Sequence, residues 1–196
     1  MFRKFVVFLV KIFSRIYFKL EIQNVDRFEK MKTSCIVAPN HLSSWETLIV
    51  PAFSKRVMYM MAKEELFRNK FFGCILRNLK AYPVGRGRKD LTAVKTSISL
   101  LRKGQPICMF PEGTRSKTGE LLKFKTGAVK IACSAKVPIL PVGIISDFKF
   151  RSKVKVIYGE PIYFDEYYDK SLTKEEAIEA TEKVREAVKK LIEKGK

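Results

Sequence analysis

Short apolar runs alternate with amphipathic segments along the chain from residue 34 onward. The runs have the length of strands, and the segments between them repeat apolar residues at helical spacing. This alternation predicts an α/β fold: a single domain with a mixed, largely parallel sheet flanked by helices. Pro51 lies inside the first predicted helix and should keep it short or kinked. We expect strands at 35–38, 57–61, 82–84, 106–110, 139–144 and 154–158, and helices at 44–54, 64–79, 89–103, 127–135 and 174–194.

The first 20 residues follow a different pattern. They are dense in Phe, Val, Ile and Leu, and they carry several cations and no acid. On a helical wheel four of these cations fall within an arc of about 80°, and the rest of the circumference is almost wholly apolar. The four cations are Lys4, Lys11, Arg15 and Lys19. Cations recur too often for a comfortable membrane span, so we predict an amphipathic helix at the membrane interface. A helix that packs on its own domain is the open alternative, and a signal peptide fits less well because no small-residue cleavage site follows.

The charge of the chain narrows the choice of partners. Its composition is globular, with 46% hydrophobic residues, yet its net charge is +19. A surplus of that size indicates a polyanionic partner, which is a nucleic acid, an anionic membrane or a phosphorylated substrate. The sequence contains no evident RNP, zinc-finger or helix-turn-helix signature, and its most basic segment is strongly apolar, so we expect no nucleic acid. The four scattered cysteines predict core residues of a reducing compartment, with neither disulfides nor a metal site.

One candidate for proton-transfer chemistry is His41, the single histidine of the sequence. Imidazole has an ordinary pKa of about 6.5, which suits it to act as a general base near neutral pH. Ser43 and Glu46 have the spacing of a helix capping box, so we predict that a helix starts at Ser44 and that His41 lies in the loop before it. A loop can bring Glu46 to the imidazole, whereas on one continuous helix the two side chains would lie roughly 140° apart. The alternative is that Glu46 only caps the helix and His41 is an ordinary loop residue.

Two basic loops follow predicted strands and are suited to phosphate. Residues 82–88 combine glycines with two arginines, and residues 110–116 contain Gly113, Thr114 and Arg115. Backbone N–H groups, a hydroxyl and guanidinium groups can all bind phosphate oxygens, and α/β sheets bind ligands at the ends of their strands. Each loop alone could equally be a solvated turn. The stretch 137–143 is apolar and stiffened by proline, and it is typical of a wall rather than a catalyst.

Together these stretches resemble the 1-acyl-sn-glycerol-3-phosphate acyltransferase family. The first of its four ordered blocks matches Asn40, His41 and Ser43, with Glu46 where the family has aspartate. The second block, a glycine-and-arginine stretch, matches residues 73–75 through 84–86 and follows Lys63. The third block matches residues 110–116 and is followed by residues 124–127. The fourth block matches residues 137–143. The resemblance covers about residues 34–145.

The resemblance implies roles for particular residues. His41 would be the general base, and Glu46 would take the place of the acid that orients it. The glycerol phosphate of the acceptor would be held by Arg86, Glu112, Gly113, Thr114 and Arg115, with Ser43, Lys63 and Lys125 as supporting residues. We expect no cofactor and no metal, because the acyl thioester is a co-substrate.

The implied reaction moves a fatty acyl group from a thioester, acyl-CoA or acyl-carrier protein, to the sn-2 hydroxyl of 1-acylglycerol 3-phosphate. The product would be phosphatidic acid. We accordingly divide the chain into a membrane-interface helix and connector at 1–30 and an acyltransferase domain at 31–196. We expect it on the cytoplasmic side of the cell membrane, peripheral or monotopic, where it meets the lysophosphatidate substrate, the anionic membrane surface and the thioester.

Other functions stay open at this point. The acceptor could be glycerol 3-phosphate or another lysophospholipid, because the four blocks do not separate these substrates. A non-catalytic membrane-binding or lipid-binding protein is the alternative from a different class, if Glu46 in place of aspartate has silenced the histidine.

Overall fold

A computed structural model describes residues 2–85 and 91–196 of the chain. Within these ranges seven strands form one sheet, in the order β1-β7-β6-β2-β5-β3-β4. The strands are β1 (Lys19–Gln23), β2 (Ile36–Pro39), β3 (Tyr59–Lys63), β4 (Ala81–Val84), β5 (Ile107–Cys108), β6 (Ile139–Ile145) and β7 (Lys153–Tyr158). Neighbouring strands are parallel except for β6 and β7, which form an antiparallel pair. The predicted mixed, largely parallel sheet is therefore confirmed.

Helices cover both faces of this sheet. They are α1 (Phe2–Tyr17), α2 (Asp26–Glu29), α3 (Glu46–Ala52), α4 (Lys70–Asn78), α5 (Leu91–Arg102), α6 (Gly127–Ala135) and α7 (Lys174–Gly195), with short 3-10 helices at Glu64–Phe67 and Asp165–Tyr167. The last helix begins with a complete capping box between Thr173 and Glu176. The predicted helix at 64–79 was wrong in its continuity, because the first four residues form a 3-10 turn and α4 begins at Lys70.

Two apolar clusters lie on opposite faces of the sheet, because successive side chains of a strand point to opposite sides. Ile36 belongs to the cluster covered by α5, α6 and α7. Its neighbour Val37 belongs to the cluster on the other face, which is covered by α1, α2 and α3. Strand β2 is buried along its whole length between them, which explains the continuous apolar run in its sequence.

The N-terminal helix is shorter than its sequence pattern predicts. It ends at Tyr17, and residues from Lys19 onward pair with β7 as the parallel edge strand β1. The N–H of Phe18 still donates to the carbonyl of Ser14 at 2.9 Å, and its side chain is buried in the core between the two elements. The prediction of a helix over all 20 residues was therefore wrong at its end, where polar and apolar residues begin to alternate.

Helix α1 packs on α3 through one face and leaves another apolar face exposed. Ser14 is fully buried, whereas Phe5, Phe8 and Ile16 are each more than half exposed. Lys11 and Arg15 lie over the ring of Phe53. Within 2–85 and 91–196, none of the helices is both long enough and apolar enough to cross a membrane.

Candidate active site

The candidate site lies at the carboxyl ends of the central strands β2 and β5. These strands are adjacent and parallel, so the loops that follow them emerge at the same edge of the sheet. The loop after β2 carries His41 and leads into α3, and the loop after β5 carries residues 110–116. Two stretches about 70 residues apart in the chain thereby meet, as the sequence pattern predicts.

His41 and Glu46 form a direct contact. The imidazole Nδ1 lies 2.7 Å from Oε1 of Glu46, whose side chain is 1% exposed. The carboxylate also accepts hydrogen bonds from the backbone N–H groups of Leu42 and Ser43. A carboxylate at Nδ1 favours the tautomer that carries its proton there and leaves Nε2 free to accept one. The longer side chain of glutamate therefore reaches the histidine in this fold.

The start of α3 differs from the predicted capping box. The helix begins at Glu46 rather than at Ser44, and no side chain caps it. The Ser43 hydroxyl instead accepts a hydrogen bond from the N–H of Trp45 at 3.3 Å. One of the two bonds of a capping box is made, from the Ser43 N–H to the Glu46 carboxylate. The other is absent, because the Ser43 hydroxyl accepts from Trp45 instead of from the N–H of Glu46. The spacing correctly predicted a bond from the Ser43 N–H to Glu46, but not where the helix begins.

Contacts on three sides fix the position of His41. Its ring stacks on Phe110, with 4.1 Å between the ring centroids. Its backbone N–H donates to Oε1 of Glu112 at 2.7 Å, and its carbonyl accepts from the N–H of Ser116 at 2.8 Å. Just before it, the buried side-chain amide of Asn40 bonds both the N–H and the carbonyl of Ile144 on β6. Such a rigid backbone is what a base needs to meet its substrate in a fixed geometry.

Glu112 holds the two loops together. Its side chain is 2% exposed, and its second oxygen accepts a hydrogen bond from the N–H of Leu122 at 3.2 Å. Burial raises the pKa of this carboxyl, and the hydrogen bonds from His41 and Leu122 oppose that shift. These contacts show a role in loop structure, and its implied role beside the acceptor phosphate stays a prediction.

The rest of the 110–116 loop presents polar groups beside His41. Gly113 has a φ of +69°, and a Cβ there would lie 2.7 Å from Nζ of Lys125, so the ammonium group packs directly against the glycine. Arg115 donates to the Ser44 hydroxyl at 3.0 Å. The predicted phosphate residue Arg86 falls in 86–90, outside the described residues.

Ser116 is a residue that the sequence reasoning did not single out. Its hydroxyl is buried and has no hydrogen-bond partner among the described residues, yet it lines the same cavity as His41. A buried hydroxyl without a partner is costly, and a bound polar group would satisfy it. Its position at the end of the predicted phosphate loop was the available signal.

A cavity of about 730 Å³ opens beside His41. Residues 113–117, Lys63 and Arg3 line it and give it cationic and hydrogen-bonding groups. The remaining lining is mostly apolar. It comes from α1, α3, β3, α4, the 3-10 helix at Glu64–Phe67 and residues that border β3 and α4: Val6, Val7, Val10, Leu48, Pro51, Met58, Met60, Met61, Leu66, Leu76 and Leu79. An amphiphilic ligand with an anionic end and a long apolar part matches this division.

The cysteines differ from the prediction at one position. Cys35, Cys108 and Cys133 are buried core residues, as expected, but Cys74 on α4 is exposed. The four thiols are free in the structure. The described residues contain no group of three or more metal-ligating side chains.

Known proteins share both the sequence and the fold of this chain. Residues 19–145 match the family model described as Acyltransferase. The 1-acyl-sn-glycerol-3-phosphate acyltransferase of Bacillus subtilis is 35% identical over 165 residues, which cover 80% of each chain. The protein of the same name from Pseudomonas aeruginosa is 29% identical over 71% of this chain and 53% of its own length.

A solved structure extends the likeness to the whole fold. The crystal structure of the 1-acyl-sn-glycerophosphate (LPA) acyltransferase PlsC from Thermotoga maritima superposes with a TM-score of 0.75 at 25% identity. The match covers 98% of this chain and 80% of that one. The family match spans most of the chain, and the Bacillus relative exceeds 30% identity over four fifths of it. The chain is therefore an acyltransferase and belongs to the family of the 1-acyl-sn-glycerol-3-phosphate acyltransferases.

Proposed function

We propose that the chain transfers a fatty acyl group from a thioester, acyl-CoA or acyl-carrier protein, to the sn-2 hydroxyl of 1-acylglycerol 3-phosphate. The product is phosphatidic acid. The observation that carries the proposal is the 2.7 Å contact between His41 and buried Glu46 at a cavity that is lined by both cationic and apolar side chains. The names of the relatives in Bacillus and Pseudomonas support the choice of acceptor.

In the proposed reaction His41 is the general base. Its Nε2 takes the proton of the acceptor hydroxyl, and the oxygen attacks the thioester carbonyl to form a tetrahedral intermediate. The intermediate collapses as the carbon–sulfur bond breaks, and the imidazolium returns the proton to the departing thiolate. Glu46 stabilises the imidazolium between these steps, and the cations that line the cavity favour the negative oxygen.

The 113–117 loop and Lys125 are proposed to hold the phosphate of the acceptor. Gly113 lets the backbone approach closely, while Arg115 and Lys125 supply charge beside it. Glu112, which the resemblance places beside the phosphate, also fixes this loop to the N–H of His41. The acyl chains would occupy the apolar part of the cavity.

The exposed apolar face of α1 is proposed to dock on the membrane that contains the acceptor. Phe5, Phe8 and Ile16 on that face are 60%, 58% and 69% exposed. The basic residues beside them and the net charge of +19 suit an anionic bilayer surface, and we propose that this is the cytoplasmic side of the cell membrane.

Release of free thiol from long-chain acyl-CoA tests this function. Parent and His41→Ala proteins would each receive 1-acylglycerol 3-phosphate, glycerol 3-phosphate or no acceptor, in a Cys74→Ser background that removes the exposed protein thiol. Release that depends on 1-acylglycerol 3-phosphate and disappears in the variant supports the proposal. Release with glycerol 3-phosphate but not with 1-acylglycerol 3-phosphate would show that glycerol 3-phosphate is the acceptor. If acyl-CoA gives no release, the assay is repeated with an acyl-carrier protein thioester as donor. No release from either donor would overturn the proposed reaction and leave a lipid-binding protein.

A further inference from the structure

The loop between β6 and β7 exposes an aromatic side chain that the proposed reaction does not use. Phe150 lies at the tip of this loop, residues 146–152, and is 62% exposed. A single exposed phenylalanine is ordinary on a protein surface, whereas a contiguous exposed apolar patch marks a contact site, so the surroundings of Phe150 decide its meaning. Lys149 and Arg151 flank it directly in sequence.

The backbone of the loop holds this tip in a disfavoured conformation. Phe148 and Arg151, on either side of the tip, have φ values of +52° and +60°. Residues other than glycine rarely adopt such angles, and they persist where the surrounding structure enforces them. Here Phe148 packs edge-on against Phe18, and its N–H donates to the hydroxyl of Ser146 at 2.9 Å. The presentation of Phe150 is thus built into the fold.

The tip is attached to the end of α1. The N–H of Arg151 donates to the carbonyl of Tyr17 at 2.7 Å. The ring of Phe150 meets the ring of Tyr17 edge-on, with centroids 5.1 Å apart, and Tyr17 stacks on Phe13 at 5.7 Å. Phe13 is itself 51% exposed. An aromatic surface therefore runs without interruption from the exposed face of α1 to Phe150.

The charges around the tip favour an anionic partner. Lys149 and Arg151 are both exposed, and the Arg151 guanidinium lies over the Phe150 ring. Asp147 is the acidic residue of the loop, and it accepts a hydrogen bond from the N–H of Lys149 and pairs with its ammonium group at 3.6 Å. The loop keeps a net positive charge around an apolar centre, which matches the boundary between headgroups and acyl chains in an anionic bilayer.

We infer that the β6–β7 loop is a second membrane contact, in which Phe150 inserts at the acyl boundary while Lys149 and Arg151 meet lipid phosphates. This inference rests on the proposed docking of α1, and it adds a point of attachment beyond the helix. A protein that docks through one helix can roll on the surface about the axis of that helix. A second contact at its carboxyl end fixes the rotation of α1, and with it the orientation of the cavity that α1 lines.

An environment-sensitive fluorophore on the full chain tests the insertion. Phe150→Cys would be labelled in the Cys74→Ser background, because the other cysteines are buried. Phe8→Cys reports on α1. Ile178→Cys is the matched control, since Ile178 is 49% exposed on α7, which covers the opposite face of the sheet. Each labelled protein is mixed with vesicles of phosphatidylglycerol and phosphatidylcholine, and binding is measured independently by sedimentation.

We expect the emission of the labels at positions 150 and 8 to shift to the blue on binding, and the label at position 178 to stay unchanged. Phe150→Ser should weaken vesicle binding about tenfold, whereas Phe150→Leu should retain it. Thermal unfolding of both variants controls for folding. A chain that sediments with vesicles and shifts at position 8 but not at 150 would overturn the second contact and leave the helix docking intact. A chain that does not sediment would overturn both, and a shift at 150 without vesicles would indicate self-association instead.

Discussion

Glu46 is the residue whose identity departs from the family pattern, and its contacts show how the longer side chain still meets the histidine. Its carboxylate reaches Nδ1 of His41 at 2.7 Å while it accepts backbone N–H groups of its own loop. Aspartate at this backbone position would end roughly 1.5 Å short, enough to disturb catalytic alignment. The longer side chain and the start of α3 at Glu46 therefore work as a pair.

Substitution of Glu46 tests the contact directly. Glu46→Gln should lower kcat by about 10³-fold or more, because an amide neither stabilises the imidazolium nor accepts every N–H that faces it. Glu46→Asp should lower kcat less, about tenfold to a hundredfold, because the charge is kept and the distance is lost. Steady-state kinetics of both variants provides the measurement, with circular dichroism as the control for folding. Parent-like activity in both would remove Glu46 from the mechanism.

Arg115 should act on one substrate more than on the other. Arg115→Ala is expected to raise the apparent KM for the phosphorylated acceptor by at least about tenfold, while the apparent KM for the acyl donor changes little. Ser44→Ala removes the hydroxyl that accepts from Arg115 but leaves the guanidinium, so it is the matched control and should have the smaller effect. Equal changes in both KM values for Arg115→Ala would contradict phosphate binding.

The cysteines should differ sharply in reactivity. Burial raises the pKa of Cys35 to about 12 and that of Cys133 to about 11, so both remain protonated thiols near neutral pH. Cys74 is exposed and should react first. A thiol reagent at pH 8 should therefore modify one thiol per native chain, and all four after denaturation. Rapid reaction of more than one in the native protein would show that the core opens easily.

At the scale of elements, α1 serves two surfaces at once. Val6, Val7 and Val10 line the cavity, while Phe5, Phe8 and Ile16 point outward. The same helix therefore forms one wall of the cavity and the face that we propose to meet lipid. The sequence pattern revealed its amphipathic character, but a single helix with a second, inward apolar face is indistinguishable on a helical wheel from one broad apolar face.

Substitutions on the two faces of α1 should affect activity differently. Val7→Trp fills part of the cavity and should reduce kcat/KM with long-chain donors by about tenfold or more, with less effect on short chains. Leu9→Trp makes a change of similar size on the outward face, where tryptophan suits an interface, and should retain activity toward acceptors dispersed in detergent. The measurement is kcat/KM of both variants with acyl donors of different chain length. An equal loss in both variants would indicate that only helix stability matters.

Most of the sheet was predictable because buried parallel strands are continuous apolar runs. The bounds of three strands, β2, β6 and β7, lie within a residue or two of the predicted bounds. The same holds for the helices α6 and α7. Strand β1 was missed, since its pairing with β7 depends on residues more than 130 positions away in the chain. The meeting of His41 with the 110–116 loop was predictable from strand ends. The bond from Glu112 to the His41 N–H was not, because it depends on the conformation of both loops.

At the scale of the whole molecule, charge and apolar surface make separable contributions to membrane binding. The net charge of +19 attracts anionic lipid from a distance, and this attraction is screened as the Debye length falls from about 10 Å at 0.1 M salt to about 3 Å at 1 M. Burial of the exposed side chains of α1 is not screened in this way. The two contributions therefore predict a biphasic response to salt.

We expect binding to anionic vesicles to weaken steeply as NaCl rises from about 0.1 M to about 0.5 M and then to level off at a residual affinity set by the apolar face. Vesicles of phosphatidylcholine alone should show only the residual part at every salt concentration. Phe8→Ser, on the outward face, should lower the residual part and leave the steepness of the salt dependence unchanged, because it removes no charge. Sedimentation of the full chain with both kinds of vesicle measures these quantities. Complete release at high salt would show that the chain binds by electrostatic attraction alone, without insertion of α1. Binding to duplex DNA that exceeds binding to vesicles would contradict a membrane as the partner of the positive charge.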